Sequence, residues 1–143
     1  MEALRTDPGM FGSNYLQEEQ YDQQHWISLL ENKSRAIFGL YNEQQLIGLT
    51  GVVLNKENAS NAIFIASFIR PAYRGKGLSR LFYQARIDWA RQQKCQSITV
   101  SHREGNTVSR AANQYFGFKY SHAENIDWPD GVQAKSLIYT LQL

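Results

Sequence analysis

Cysteine is almost absent: Cys95 stands alone in 143 residues. One thiol closes no internal disulfide, and no cluster of Cys and His surrounds it. Neither a disulfide framework nor a structural metal is expected, and the chain suits a reducing, cytoplasmic setting. Long apolar runs are also lacking, and the opening Met1-Glu2-Ala3-Leu4-Arg5 carries none. Neither a secretion signal nor a membrane span is expected. Charge of one sign is not in excess: 15 basic and 13 acidic residues, scattered along the chain, leave a net +2. Nucleic-acid binding would require a basic stripe, so it is not expected. Pro8, Pro71 and Pro129 are too dispersed to mark a linker, and no repeat is present. What remains, with 43% hydrophobic residues, is enough for one core and a single domain over residues 1–143.

The apolar pattern orders the elements. Asp22 before Trp26, Ile27, Leu29 and Leu30 predicts a capped amphipathic helix to about Asn32, after a loop over residues 11–15. Residues 35–41 and 46–54, separated by Asn42-Glu43-Gln44-Gln45, predict a hairpin. Residues 62–69 are nearly all apolar, which predicts a central strand covered on both faces. Leu78, Leu81, Phe82, Ala85 and Trp89 then fall at helical spacing, with Arg80, Gln84, Asp88 and Arg91 on the other side. Residues 96–101 read as a strand. Asn106 caps a second helix with the stripe Val108, Ala111, Ala112 and Tyr115, which Gly117 ends. Residues 118–126 and 133–142 predict two strands around a turn at Trp128-Pro129-Asp130-Gly131. The fold class is mixed α and β around one sheet.

The segment joining the central strand to the long helix bears the chemistry. Arg74-Gly75-Lys76-Gly77-Leu78-Ser79-Arg80 places glycines where a helix start presents free N–H groups and the positive end of its dipole. A pyrophosphate could be held there; the plainer reading is a glycine-rich turn with solvated basic residues. A P-loop needs another spacing, and the dinucleotide fingerprint needs a glycine where Arg80 stands.

Arg74-Gly75-Lys76-Gly77-Leu78-Ser79 resembles the acetyl-CoA loop of the GNAT acetyltransferase superfamily, R/Q-x-x-G-x-G/A, with Ser79 in place of the last small residue. Asn106 followed by a helix and Phe116-Gly117-Phe118 resembles the family's second signature. Ala3-Leu4-Arg5-Thr6-Asp7-Pro8 with Phe11-Gly12-Ser13 is similar to its first-helix and acceptor-loop region. The resemblance implies a GNAT fold: a central, mostly antiparallel sheet with one splayed parallel pair, flanked by helices. The strand that usually precedes the first helix has no residues here. That absence would leave an open edge at residues 35–41 or the neighbouring strand, and an edge favours a homodimer.

The resemblance further implies acetyl-CoA as co-substrate, an amine as acceptor and no metal. Ser67, Phe68 and Ile69 should offer backbone groups to the pantetheine arm and the thioester carbonyl. The loop residues Arg74 through Arg80 should bind the cofactor. Asn106, Ser109 and Asn113, at i, i+3 and i+7, should meet it from one helix face, with Ser109 and Asn113 nearest the chemistry. Where many members carry a tyrosine that protonates the thiolate, this chain has Asn113, while Tyr115 reads as a packing residue. Glu18, Glu19, His102 and Glu104 are the candidates for the base. A non-catalytic acyl-CoA sensor is the alternative.

Overall fold

Strands, not helices, make up the described elements of the first half of the chain. The computed structural model describes residues 14–17 and 25–143. Five strands form a meander in which each pairs antiparallel with the next: β1 (Asn14–Gln17), β2 (His25–Glu31), β3 (Arg35–Asn42), β4 (Gln45–Leu54) and β5 (Asn61–Ile69). A 3-10 turn at Pro71–Tyr73 and helix α1 (Ser79–Gln92) carry the chain across to β6 (Ser97–Arg103), which lies parallel to β5. A parallel neighbour requires such a crossover. Helix α2 (Thr107–Tyr115) leads to the hairpin β7 (Lys119–Asp127) and β8 (Gln133–Gln142). The sheet order is β1-β2-β3-β4-β5-β6-β8-β7. It is mostly antiparallel, and β5/β6 is the one parallel pair among the described residues.

Helix α1 forms where the spacing places it. Leu81, Phe82, Ala85 and Trp89 are buried while Gln84, Asp88 and Arg91 face out, and the helix packs on β3, β4 and β5. Phe38, Leu40, Ile47 and Val52 meet it from the sheet. Burying a side chain of that size contributes about 1.5–3 kcal/mol. Trp89 Nε1 donates to Glu31 Oε2 at 2.7 Å, which ties the helix to β2. The helix ends with Lys94 at φ +63°, its N–H on Arg91 O at 2.9 Å and Cys95 N–H on Ala90 O at 2.9 Å. That is a Schellman ending with lysine where glycine is usual.

Four expectations change. Residues 25–31 form β2, not a helix: Trp26, Ile27, Leu29 and Leu30 also suit a strand, and pairing against β3 buries both Ile27 and Leu29. Asn14 and Tyr15, read as loop, belong to β1. Because β2 and β4 flank β3 on both sides, residues 35–41 offer no open edge, and the reason for expecting a homodimer there disappears. The stripe of α2 is not its packed face either. Val108 and Tyr115 are 79% and 82% exposed, and Asn113 is the buried residue of that helix. The segments 1–13 and 18–24, with the acceptor-loop resemblance, the missing first strand, Glu18 and Glu19, lie outside the described residues.

Gly48 sets how closely β4 approaches its neighbours. A Cβ there would stand 2.8 Å from Phe68 O and 3.0 Å from Phe82 Cζ, and a backbone oxygen cannot swing aside. Gly48→Ala is therefore expected to cost about 1–3 kcal/mol, read as a lower denaturant midpoint at unchanged slope.

Candidate active site

The cleft begins at a bulge. β5 and β6 pair only over Asn61, Ala62 and Ile63. Further along, Ala66 takes φ +37° and drops out of register between Thr50 and Gly51, with its carbonyl accepting from Thr50 Oγ1 at 2.8 Å. β5 bends away while β6 stays paired with β8 as far as Arg103. Ala66, Ser67 and Phe68 are consequently exposed, contrary to the strand covered on both faces that its apolar run predicts. The edge of β5 facing β6 loses its ladder partner after Ile63.

Between the splayed strands lies a cleft of about 710 Å³. Its walls are Phe64 to Ser67 and Ile69 of β5 and Val100 to Arg103 of β6, with α1 and α2 along its length. At one end stands the glycine loop. Gly75 and Gly77 have φ +75° and +76°, and a Cβ at either would meet nothing within 4 Å, so the loop borders open space. Helix α1 starts there with no side-chain cap and no acidic residue in its first turn. Its own first turn therefore supplies nothing that offsets the positive end of the helix. Arg74 and Ser79 line the cleft, and Arg74 Nε donates to Ile69 O at 2.7 Å, pinning the loop to β5.

Asn106, Ser109 and Asn113 all line the same cleft, as their common helix face implies. Asn106 Oδ1 accepts from Ser109 N at 3.1 Å as the cap of α2. Ser67, Ile69, Gly75, Gly77 and Leu78 also reach it, whereas Phe68, Lys76 and Arg80 do not form its lining. Glu104 sits elsewhere: its Oε1 accepts from Lys135 N at 2.9 Å beside a separate depression near Asn125 and Asp127.

Two residues that sequence reasoning passed over complete the interior. Tyr83 and Arg86, one turn apart on α1, are 7% and 3% exposed and line the cleft. Tyr83 OH donates to Asn113 Oδ1, and its ring stacks on Phe116 at 4.3 Å. Burial raises the Tyr83 phenol above its ordinary range, with the Arg86 charge opposing. The Arg86 guanidinium lies 3.9 Å from the Phe64 ring centre, and its Nε donates to Phe82 O at 3.2 Å. Burial pushes its pKa down to about 9, with Tyr83 opposing. The one available signal was that Tyr83 and Ala90 widen the apolar face of α1 around Arg86.

Two polar atoms of residues that line the cleft lack partners. Asn113 Nδ2 and His102 Nε2 are both buried and without a hydrogen bond among the described residues. His102 stacks on Tyr139 at 5.2 Å, and its Nδ1 is 2.9 Å from Arg103 O. A carbonyl only accepts, so Nδ1 is the donor, and in the neutral ring Nε2 then carries the lone pair. Arg103 binds Asp130 at 2.7 Å, and that hydrogen bond, with one from the Val132 backbone, holds the Asp130 carboxyl below its usual range. No carboxylate is among the described residues that line the cleft, while Arg74, Arg86 and Arg103 are.

A mixed sheet splayed at its parallel pair, with a glycine loop leading from the splayed strand into a helix, defines an acyl-CoA N-acyltransferase fold. The Acetyltransferase (GNAT) family model matches residues 1–118, and the chain belongs to that family. Among solved structures it is similar to yncA of Salmonella typhimurium, solved with its cofactor acetyl-CoA, at TM-score 0.69 and 18% identity over 76% of this chain and 65% of that one. It thus spans less than two thirds of that protein. It is also similar to the ribosomal-protein-alanine N-acetyltransferase of Brucella melitensis, at TM-score 0.70 and 18% identity over 76% of this chain and 69% of that one. The ribosomal-protein-S18-alanine N-acetyltransferase of Escherichia coli gives TM-score 0.67 and 17% identity over 78% and 71%. No curated protein matches the sequence.

Proposed function

We propose that this chain, as a single domain over residues 1–143, transfers an acetyl group from acetyl-CoA to a primary amine in a ternary complex, in a cytoplasmic setting. The observation that carries the reading is the cleft itself. Its lining is cationic and without carboxylates among the described residues, and it runs from an uncapped helix start to the buried Nε2 of His102 and Nδ2 of Asn113. These residues fit a polyanionic cofactor: Gly75, Gly77, Leu78 and Ser79 offer the open cradle for its pyrophosphate, with Arg74 beside them. Asn106 and Ser109 line the route inward. When bound, acetyl-CoA supplies the acyl carbon and a thiol leaving group.

The chain's own groups then divide the work. Backbone N–H groups on the unpaired edge of β5 near Ser67 and Ile69 stabilise the carbonyl oxygen as negative charge develops. His102 Nε2 takes the proton from the attacking amine. Asn113 Nδ2 donates toward the sulfur. Freeing a lysine amine at neutral pH costs roughly 4 to 5 kcal/mol, an α-amine only about 1. With one imidazole as base, the acceptor is an amine of low pKa, such as an amino acid or a peptide N-terminus. Efficient turnover of lysine side chains with α-amines untouched would exclude it.

The cradle is tested by Gly77→Val. A branched side chain at φ +76° strains the loop by about 1–2 kcal/mol and fills the open space. Acetyl-CoA affinity by calorimetry is expected to fall about tenfold or more, with the fold intact by circular dichroism. Unchanged affinity would remove the loop from the cofactor site.

A further inference from the structure

Arg86 is a buried cation with no anion beside it among the described residues. It is 3% exposed, lines the cleft, and has as its contacts the Phe82 carbonyl and the rings of Phe64 and Tyr83. A charge so placed costs several kcal/mol unless something negative pairs with it. The other titratable side chains lining the cleft among the described residues are Tyr73, Arg74, Tyr83, His102 and Arg103, and none of them is a carboxylate. Arg86 stands seven residues into α1 from Ser79, about 10 Å along the axis at 1.5 Å per residue. It is thus separate from the phosphate cradle, at the depth where Tyr83 OH meets Asn113 and Asn113 Nδ2 is left free.

We infer that Arg86, with Tyr83 and Asn113, forms a pocket that stabilises the departing thiolate as an anion, in place of a proton donor. The inference rests on the acyl-CoA reading above. In the step it serves, the amine lone pair forms the C–N bond, the C–S bond breaks with its electron pair kept by sulfur, and the amine proton passes to His102 Nε2. The unpartnered Asn113 Nδ2–H would donate to the sulfur, Tyr83 OH fixes and polarises that amide through Oδ1, and the guanidinium holds the field positive. A thiolate is large and weakly hydrated. A soft donor set with a nearby cation therefore suits it without the tight pairing a carboxylate would demand.

The test reads the thiol directly. Free CoA is bound to the protein and the ultraviolet absorbance of its thiolate is followed with pH. In the wild type the bound thiol is expected to titrate about one unit or more below the free value, a tenfold gain in thiolate. Arg86→Met should return it toward the free value with CoA affinity within about threefold, Arg86→Lys should keep part of the shift, and Tyr83→Phe should lose part. A bound thiol with the same titration in the wild type and Arg86→Met overturns the inference. If succinyl-CoA binding alone then proved sensitive to Arg86→Met, the cation would belong to a carboxylate on the acyl group. Failure of the wild type to bind CoA at all would instead overturn the acyl-CoA reading.

Discussion

His102→Gln is expected to lower kcat/KM for amine acetylation by about 10² to 10⁴, the range for loss of a positioned general base. The imidazole belongs to a residue that lines the cleft and is held by its stack on Tyr139 and by Nδ1 donating to Arg103 O, while its Nε2 has no hydrogen-bond partner among the described residues. Glutamine can still reach the carbonyl but offers no basic nitrogen. The loss should shrink as pH rises toward the pKa of the acceptor amine, because solvent then delivers the free base without help. Acetyl-CoA affinity should hardly change. A rate within fivefold of wild type with the same pH profile would take the proton-transfer role away from His102.

Arg86→Met should have two opposite effects. In the free protein burial holds the guanidinium at a folded pKa of about 9, well below the ordinary arginine range, so folding disfavours its proton. The cost is fully present below pH 9 and disappears as pH rises through that value toward the ordinary arginine range, where the unfolded chain also loses the proton. At neutral pH it amounts to about 5 kcal/mol before offsets, and the contact with Phe64 returns about 2 kcal/mol of it. Methionine keeps the volume without the charge, so a net gain of about 3 kcal/mol, or roughly 9 °C in Tm, is expected. The acetylation rate should fall. A lower Tm for Arg86→Met would show that the guanidinium holds the fold together.

Much of this architecture is legible in the residues because local chemistry and tertiary context agree. Leu81, Phe82, Ala85 and Trp89 have one plausible packing mode, and the glycines at 75 and 77 need the positive φ they adopt. Asn106, Ser109 and Asn113 share a face by periodicity, and the cleft lies along that face. Legibility fails where the pattern is degenerate. Four apolar residues in the stretch 26–30 satisfy helix and strand spacing alike, and only the partner strand β3 decides between them. The bulge at Ala66 leaves no mark in an apolar run, so the exposure of Ser67 and Phe68 is invisible before the sheet is built. Arg86 escapes notice in the sequence because burial of a lone guanidinium is set by what surrounds it, not by its spacing. His102 and Glu104 look equivalent as candidate bases, and only the fold turns one into the cleft and the other onto the Lys135 backbone.

Release of free thiol from acetyl-CoA by the purified protein, with and without amino acids and peptides as acceptors, is the most direct measurement. Thiol released in step with an acceptor, faster for α-amines than for lysine side chains, is the expected result. CoA binding by calorimetry with no amine-dependent release across the whole panel would contradict it, and would leave a domain that binds acyl-CoA without transferring its acyl group.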